Sequence, residues 1–137
     1  MIFNAVIKFY SQGLSQIEKI LLKDDNAIEN METYLNVILI STKETNGCLL
    51  YKTLLVLSPN DKKLQDSINN FLLKVEKLLE KNLCILKKNS NNKIDPKTFS
   101  KFIISTIYGA HVYYKVNNDD EMLQESIRII MSILRRK

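Results

Sequence analysis

His111 is the single histidine of the chain, and it stands in the apolar run 107–114 beside Tyr108, Tyr113 and Tyr114. An imidazole in such a place could act as a general base, or as a metal ligand if further nitrogen, sulfur or oxygen donors stood at ligand spacing. No Cys or carboxylate stands near it at a familiar spacing. His111 therefore reads as a hydrogen-bonded core or interface residue, with ligand contact as the next reading. Cys48 and Cys84 form no C-x-x-C pair and sit among apolar neighbours, so both are expected to be buried free thiols. Glu76 and Glu80 lie one helical turn apart among lysines, the spacing of a solvated helix face. There is no G-x-S-x-G elbow, phosphate-binding loop or dinucleotide-binding glycine motif. These residues point away from an enzyme: no catalytic residue, metal site or cofactor is assigned.

The elements that carry these residues read as helices. Over 2–23, Phe3, Val6, Ile7, Tyr10, Leu14, Ile17 and Leu21 share one face at helical spacing, with Gly13 inside the run. Asp24-Asp25-Asn26 breaks it. A second helix over 27–42 aligns Ile28, Met31, Leu35, Ile38 and Thr42. Residues 48–57 are nearly all apolar and suit a short buried helix. Ser58 is expected to cap the next helix, with Pro59 at its first position and Asp61 completing a capping box. That helix runs to about Lys88 and aligns Leu64, Ile68, Phe71, Val75, Leu78 and Asn82. The polar stretch 89–93 reads as a flexible loop. Asp95 caps a fifth helix with Pro96 at its start, and Asn118 with Glu121 offers a cap for a sixth. The basic residues 135–137 suit the negative end of that helix's dipole.

The chain thus reads as all-α: one domain over 1–137, an antiparallel bundle of about six helices, with no strands and no internal repeat. Its 137 residues are enough to bury a substantial core. With 45% hydrophobic and 26% charged residues, it has the composition of a soluble globular protein rather than a disordered or fibrous one. The net charge of +5 comes almost wholly from scattered lysines, which read as solvated faces rather than a nucleic-acid patch. The apolar start at 1–7 has no basic region and no small-residue cleavage site, and no apolar run is long enough to span a membrane. A cytoplasmic protein without membrane association is the simplest expectation.

Several motifs in order then suggest a family. Asn46-Gly47-Cys48-Leu49, next Ser58-Pro59-Asn60-Asp61 before a long helix, and finally Asp95-Pro96, Phe102, Gly109-Ala110, Asp119 and Leu123 are arranged as in the regulatory domain of TetR-family transcriptional regulators. The stretch from Phe3 to Leu22 resembles the helix that joins the family's DNA-binding head to its body. The resemblance covers nearly the whole chain. It does not include the helix-turn-helix head, and nothing here reads as a recognition helix. The resemblance implies a truncated regulator: a ligand-binding domain for transcription regulation that binds a small apolar ligand and homodimerises, reaching DNA only through a head not present in this chain. The alternative is a headless interaction module that forms mixed dimers with an intact regulator and antagonises it.

Family likeness places the ligand between inward residues of the middle helices: Met31, Leu35, Ile38, Tyr51, Phe71, Val75, Phe102, Thr106 and Tyr113. The last two helices carry more apolar surface than one copy is expected to hide. A two-fold pairing into an intermolecular four-helix bundle is therefore expected through Ile104, Tyr108, Val112, Ile127, Ile130, Met131 and Leu134.

Overall fold

Five helices account for almost all of the described chain: α1 (Ile2–Leu21), α2 (Ala27–Glu44), α3 (Lys62–Lys88), α4 (Pro96–Asn117) and α5 (Glu121–Leu134). They are seen in a computed structural model that describes residues 2–44 and 60–136, with side chains in α1 at Lys8 and from Ser11 onward. No strand occurs among the described residues, so the all-α reading holds. The short helix expected over 48–57, Asn46-Gly47-Cys48-Leu49, Tyr51 and Ser58-Pro59 lie outside the described residues, as do the side chains of Phe3, Val6, Ile7 and Tyr10. Among the described residues no helix is long and apolar enough to cross a membrane.

Local chemistry explains the boundaries. Asn26 starts α2 with a reciprocal cap: its Oδ1 accepts the Glu29 N–H at 3.1 Å and its amide donates to the Glu29 carboxylate at 3.2 Å. Asp61 caps α3, accepting the Leu64 N–H at 3.2 Å. A carboxylate there offers the free N–H groups an acceptor and suits the positive end of the dipole. Asp95 caps α4 as expected, accepting from the Thr98 N–H and hydroxyl, with Pro96 next. Those bonds to Thr98 hold the Asp95 carboxyl below its ordinary range.

Asn118 departs from expectation. It takes the left-handed conformation with φ of 51° and closes α4, its N–H bonded to the Tyr114 carbonyl. Asparagine tolerates that conformation better than a branched residue, which suits it to ending a helix. At the start of α5 Asp120 is the N-cap without a side-chain cap bond, and the carboxylate of Asp119 accepts the Glu121 N–H at 2.9 Å.

Helix α3 packs against α1, α2 and α4, and α5 packs against α2 and α4. Directions follow from the ion pairs. Lys43, near the end of α2, meets Asp120 at the start of α5, while Glu32 near the start of α2 meets Arg135 just past the end of α5. These two helices therefore run antiparallel. Asn92, in the loop before α4, points its amide at the carbonyls of Ile133 and Leu134 at 3.1 Å and Arg136 at 3.3 Å. This polar loop is thus fixed at a buried residue that receives the C-terminal end of α5.

The core is one cluster in which Leu21, Met31, Leu35, Leu79, Leu83, Ile103, Leu123, Ile130 and Leu134 are fully buried. Asn82 sits among them, donating its amide to the Ala27 carbonyl at 3.1 Å and so tying α3 to the start of α2. Cys84 is exposed, contrary to the expectation of a buried thiol. It falls between the buried residues Leu83 and Leu86, on the solvent stripe with Lys77, Lys81 and Lys88.

Candidate functional site

The helical phase of α1, α2, α3 and α4 brings four apolar faces together without closing the space between them. The result is a cavity of about 350 Å³. From α1 its wall includes Gln12, Gly13, Gln16, Ile17 and Ile20; from α2, Tyr34, Val37, Ile38, Ser41 and Thr42. Helix α3 supplies Phe71 and Val75, and α4 supplies Ile103, Ile104, Ile107, Tyr108 and His111. Most of this lining is aliphatic or aromatic, with a few polar groups from Gln12, Gln16, Ser41, Thr42 and His111, the character of a small-molecule pocket. Gly13 lies mid-helix, where glycine costs about 1 kcal/mol against alanine. A Cβ built there would meet nothing within 4 Å, so no neighbour forces the residue to be glycine. Its missing side chain leaves room at the cavity wall.

The buried polar pair on this wall is His111 and Thr42. His111 is 3% exposed, and its ring makes two hydrogen-bonding contacts. Nδ1 lies 2.8 Å from the Ile107 carbonyl oxygen and Nε2 lies 2.8 Å from Thr42 Oγ1. The Thr42 hydroxyl also lies 2.8 Å from the Ile38 carbonyl, one turn back on α2. Burial pushes the imidazole pKa below its ordinary value, and the Ile107 carbonyl pulls weakly the other way. Tyr108 stacks obliquely on the ring, with centroids 6.0 Å apart. This arrangement joins α2 to α4 across the cavity. It can hold and orient a polar group of a bound molecule.

Comparison with protein-family models, curated proteins and solved structures gives no match. The geometry is therefore the ground for a functional reading.

Of the residues expected to contact a ligand, Ile38, Phe71 and Val75 line the cavity. Met31 and Leu35 are fully buried in the core behind it. Phe102 and Tyr113 are exposed and Thr106 is half-buried, on faces of α4 turned away from the wall. Tyr51 lies outside the described residues. On α4, residues 103, 104, 107, 108 and 111 form the stripe that faces the cavity, and 102, 106 and 113 stand off it. Both stripes of α4 are apolar, so periodicity does not say which faces inward.

The expected dimer surface also divides. Ile104 and Tyr108 line the cavity. Ile127, Ile130, Met131 and Leu134 are buried within the chain itself, packed into the common core, and are out of reach of a second copy in this fold. Val112 alone of the seven is exposed. Other exposed apolar residues on these two helices are Val116 on α4, at 76%, and Met122 and Ile129 on α5. Gly109 belongs to the same outer side of α4, exposed and with open space where a Cβ would stand. The wall residues of α1 and Thr42 were missed as site residues. Gly13 within an otherwise helical run, and the unusual pairing of polar Gln12 and Gln16 with Ile17 and Ile20, were the signals available.

Proposed function

We propose that this chain is a ligand-binding and dimerising regulatory domain of the TetR type, acting on DNA only through a head domain. The observation that supports the ligand is the cavity among α1–α4, large enough for a small molecule, mostly apolar, and carrying one fixed polar anchor at His111 and Thr42. A molecule bound there touches four helices at once. It would stabilise whichever relative placement of them it fits best, and an attached head would feel that shift.

The test uses the neutral fluorophore N-phenylnaphthylamine, whose emission rises in apolar surroundings. The chain is expected to bind it with saturation, and Gly13→Leu to weaken binding at least about tenfold by filling the cavity. The substitution also replaces glycine with a strong helix former at a place where a Cβ meets nothing within 4 Å, so thermal stability is expected to hold or rise. Failure of the fluorophore to bind, or equal binding by Gly13→Leu, overturns the pocket.

The proposed homodimer pairs the outer faces of α4 and α5. Val112, Val116, Met122 and Ile129 form the apolar contact, and Gly109 allows the helices to approach closely. This replaces the α5 residues that the core has already used.

A further inference from the structure

The bonds around His111 outnumber the available protons when the ring is neutral. The Ile107 carbonyl can only accept, so Nδ1 carries a proton in either charge state. In the neutral ring Nε2 is then an acceptor. The single proton of the Thr42 hydroxyl must choose between Nε2 and the Ile38 carbonyl, which both lie 2.8 Å away. In the imidazolium, Nε2–H donates to Thr42 Oγ1, Thr42 donates to Ile38, and all three contacts carry a proton. The network is complete only for the cation, yet burial opposes the cation. A cation held here needs an anion beside it.

The described wall offers none. From α1 it has Gln12 and Gln16; from α2, Tyr34, Ser41 and Thr42; from α3, Phe71 and Val75; from α4, Tyr108. The two tyrosines are the only other titratable groups on that wall. Lys43, next to Thr42 in the chain, is paired with Asp120 before α5, and Lys101 of α4 with Glu76 of α3.

Resting on the reading of this cavity as a ligand site, we infer that its ligand is an amphiphile with one acidic headgroup, bound together with a proton taken up at His111. The apolar body lies against Ile17, Ile38, Phe71, Val75 and Ile104. The headgroup lies beside the ring as the counter-ion of the imidazolium. Nε2–H donates to Thr42 Oγ1, the Thr42 hydroxyl to the Ile38 carbonyl and Nδ1–H to Ile107, so the bound state keeps the complete network. The added proton comes from solvent, and no covalent bond to carbon is made or broken.

The probe is anilinonaphthalene sulfonate, which keeps its negative charge from pH 5 to 8, with neutral N-phenylnaphthylamine as the control. One linked proton makes sulfonate binding tighten about tenfold per pH unit as pH falls through the neutral range. The neutral probe is expected to bind with no such slope, and His111→Gln to abolish the slope for the sulfonate. Because the chain has one histidine, its proton resonance in NMR reports the same event without a variant. Saturating sulfonate is expected to move its titration midpoint upward, and the neutral probe to leave it in place. Neutral-probe binding with a pH-independent sulfonate affinity, or an unmoved histidine midpoint, overturns the proton-linked anion and leaves the pocket standing. Absence of binding by both probes overturns the pocket and this inference together.

Discussion

A buried histidine and a buried asparagine do work that their sequence neighbours did not announce. His111 has a folded pKa below the ordinary 6.5 because its ring is desolvated. Between those two values the unfolded chain holds a proton that the folded chain does not, so stability falls as pH drops through the range just below 6.5. Urea midpoints measured between pH 7.5 and 5 are expected to decline in the free protein, and His111→Gln to flatten the decline. Asp95 and Asp120 act lower on the scale. Both are held below the ordinary 3.8, Asp95 chiefly by the Thr98 hydroxyl and Asp120 chiefly by Lys43, so their contributions vanish as acid protonates them. Asn92 is the clearer structural case, because its amide faces carbonyls at the end of α5. Asn92→Ala leaves those groups without their donor and is expected to cost about 2 kcal/mol in chemical denaturation.

At the scale of helices, the decisive matter is which stripe of α4 and α5 each neighbour covers. Ile130 is completely buried within its own chain. Ile130→Asp places an unpaired carboxylate in the core and is expected to unfold the protein, visible as loss of helical circular dichroism at 25 °C. Ile129, one residue away, is 47% exposed on the outer face. Ile129→Lys is expected to leave folding unchanged within about 0.5 kcal/mol. Its effect belongs to association: light scattering at micromolar concentration is expected to show a dimer for the parent chain and a monomer for Ile129→Lys. A monomeric parent, or a variant that still dimerises, would remove this face as the contact. The ends of the helices were more legible than their faces. Asp95-Pro96 was readable as a start because cap chemistry is local, whereas the roles of Asp61, Asn118 and Asp119 depended on where the chain turned.

For the whole molecule, the sequence determined that the described chain is helical, because apolar spacing near 3.6 residues and local caps require no distant partner. It also excluded the familiar catalytic motifs, and it placed Ile38, Phe71 and Val75 on inward faces. Only the tertiary structure decided the rest. Helices α4 and α5 are apolar on more than one side, so periodicity leaves their rotation open; packing against α2 and α3 turned Ile104 and Tyr108 to the cavity and Ile127, Ile130, Met131 and Leu134 into the core. Likewise Thr42 and His111, separated by 69 residues, meet because α2 and α4 flank one space. Such a contact is set by the sum of many packing interactions, and no local pattern in the chain encodes it.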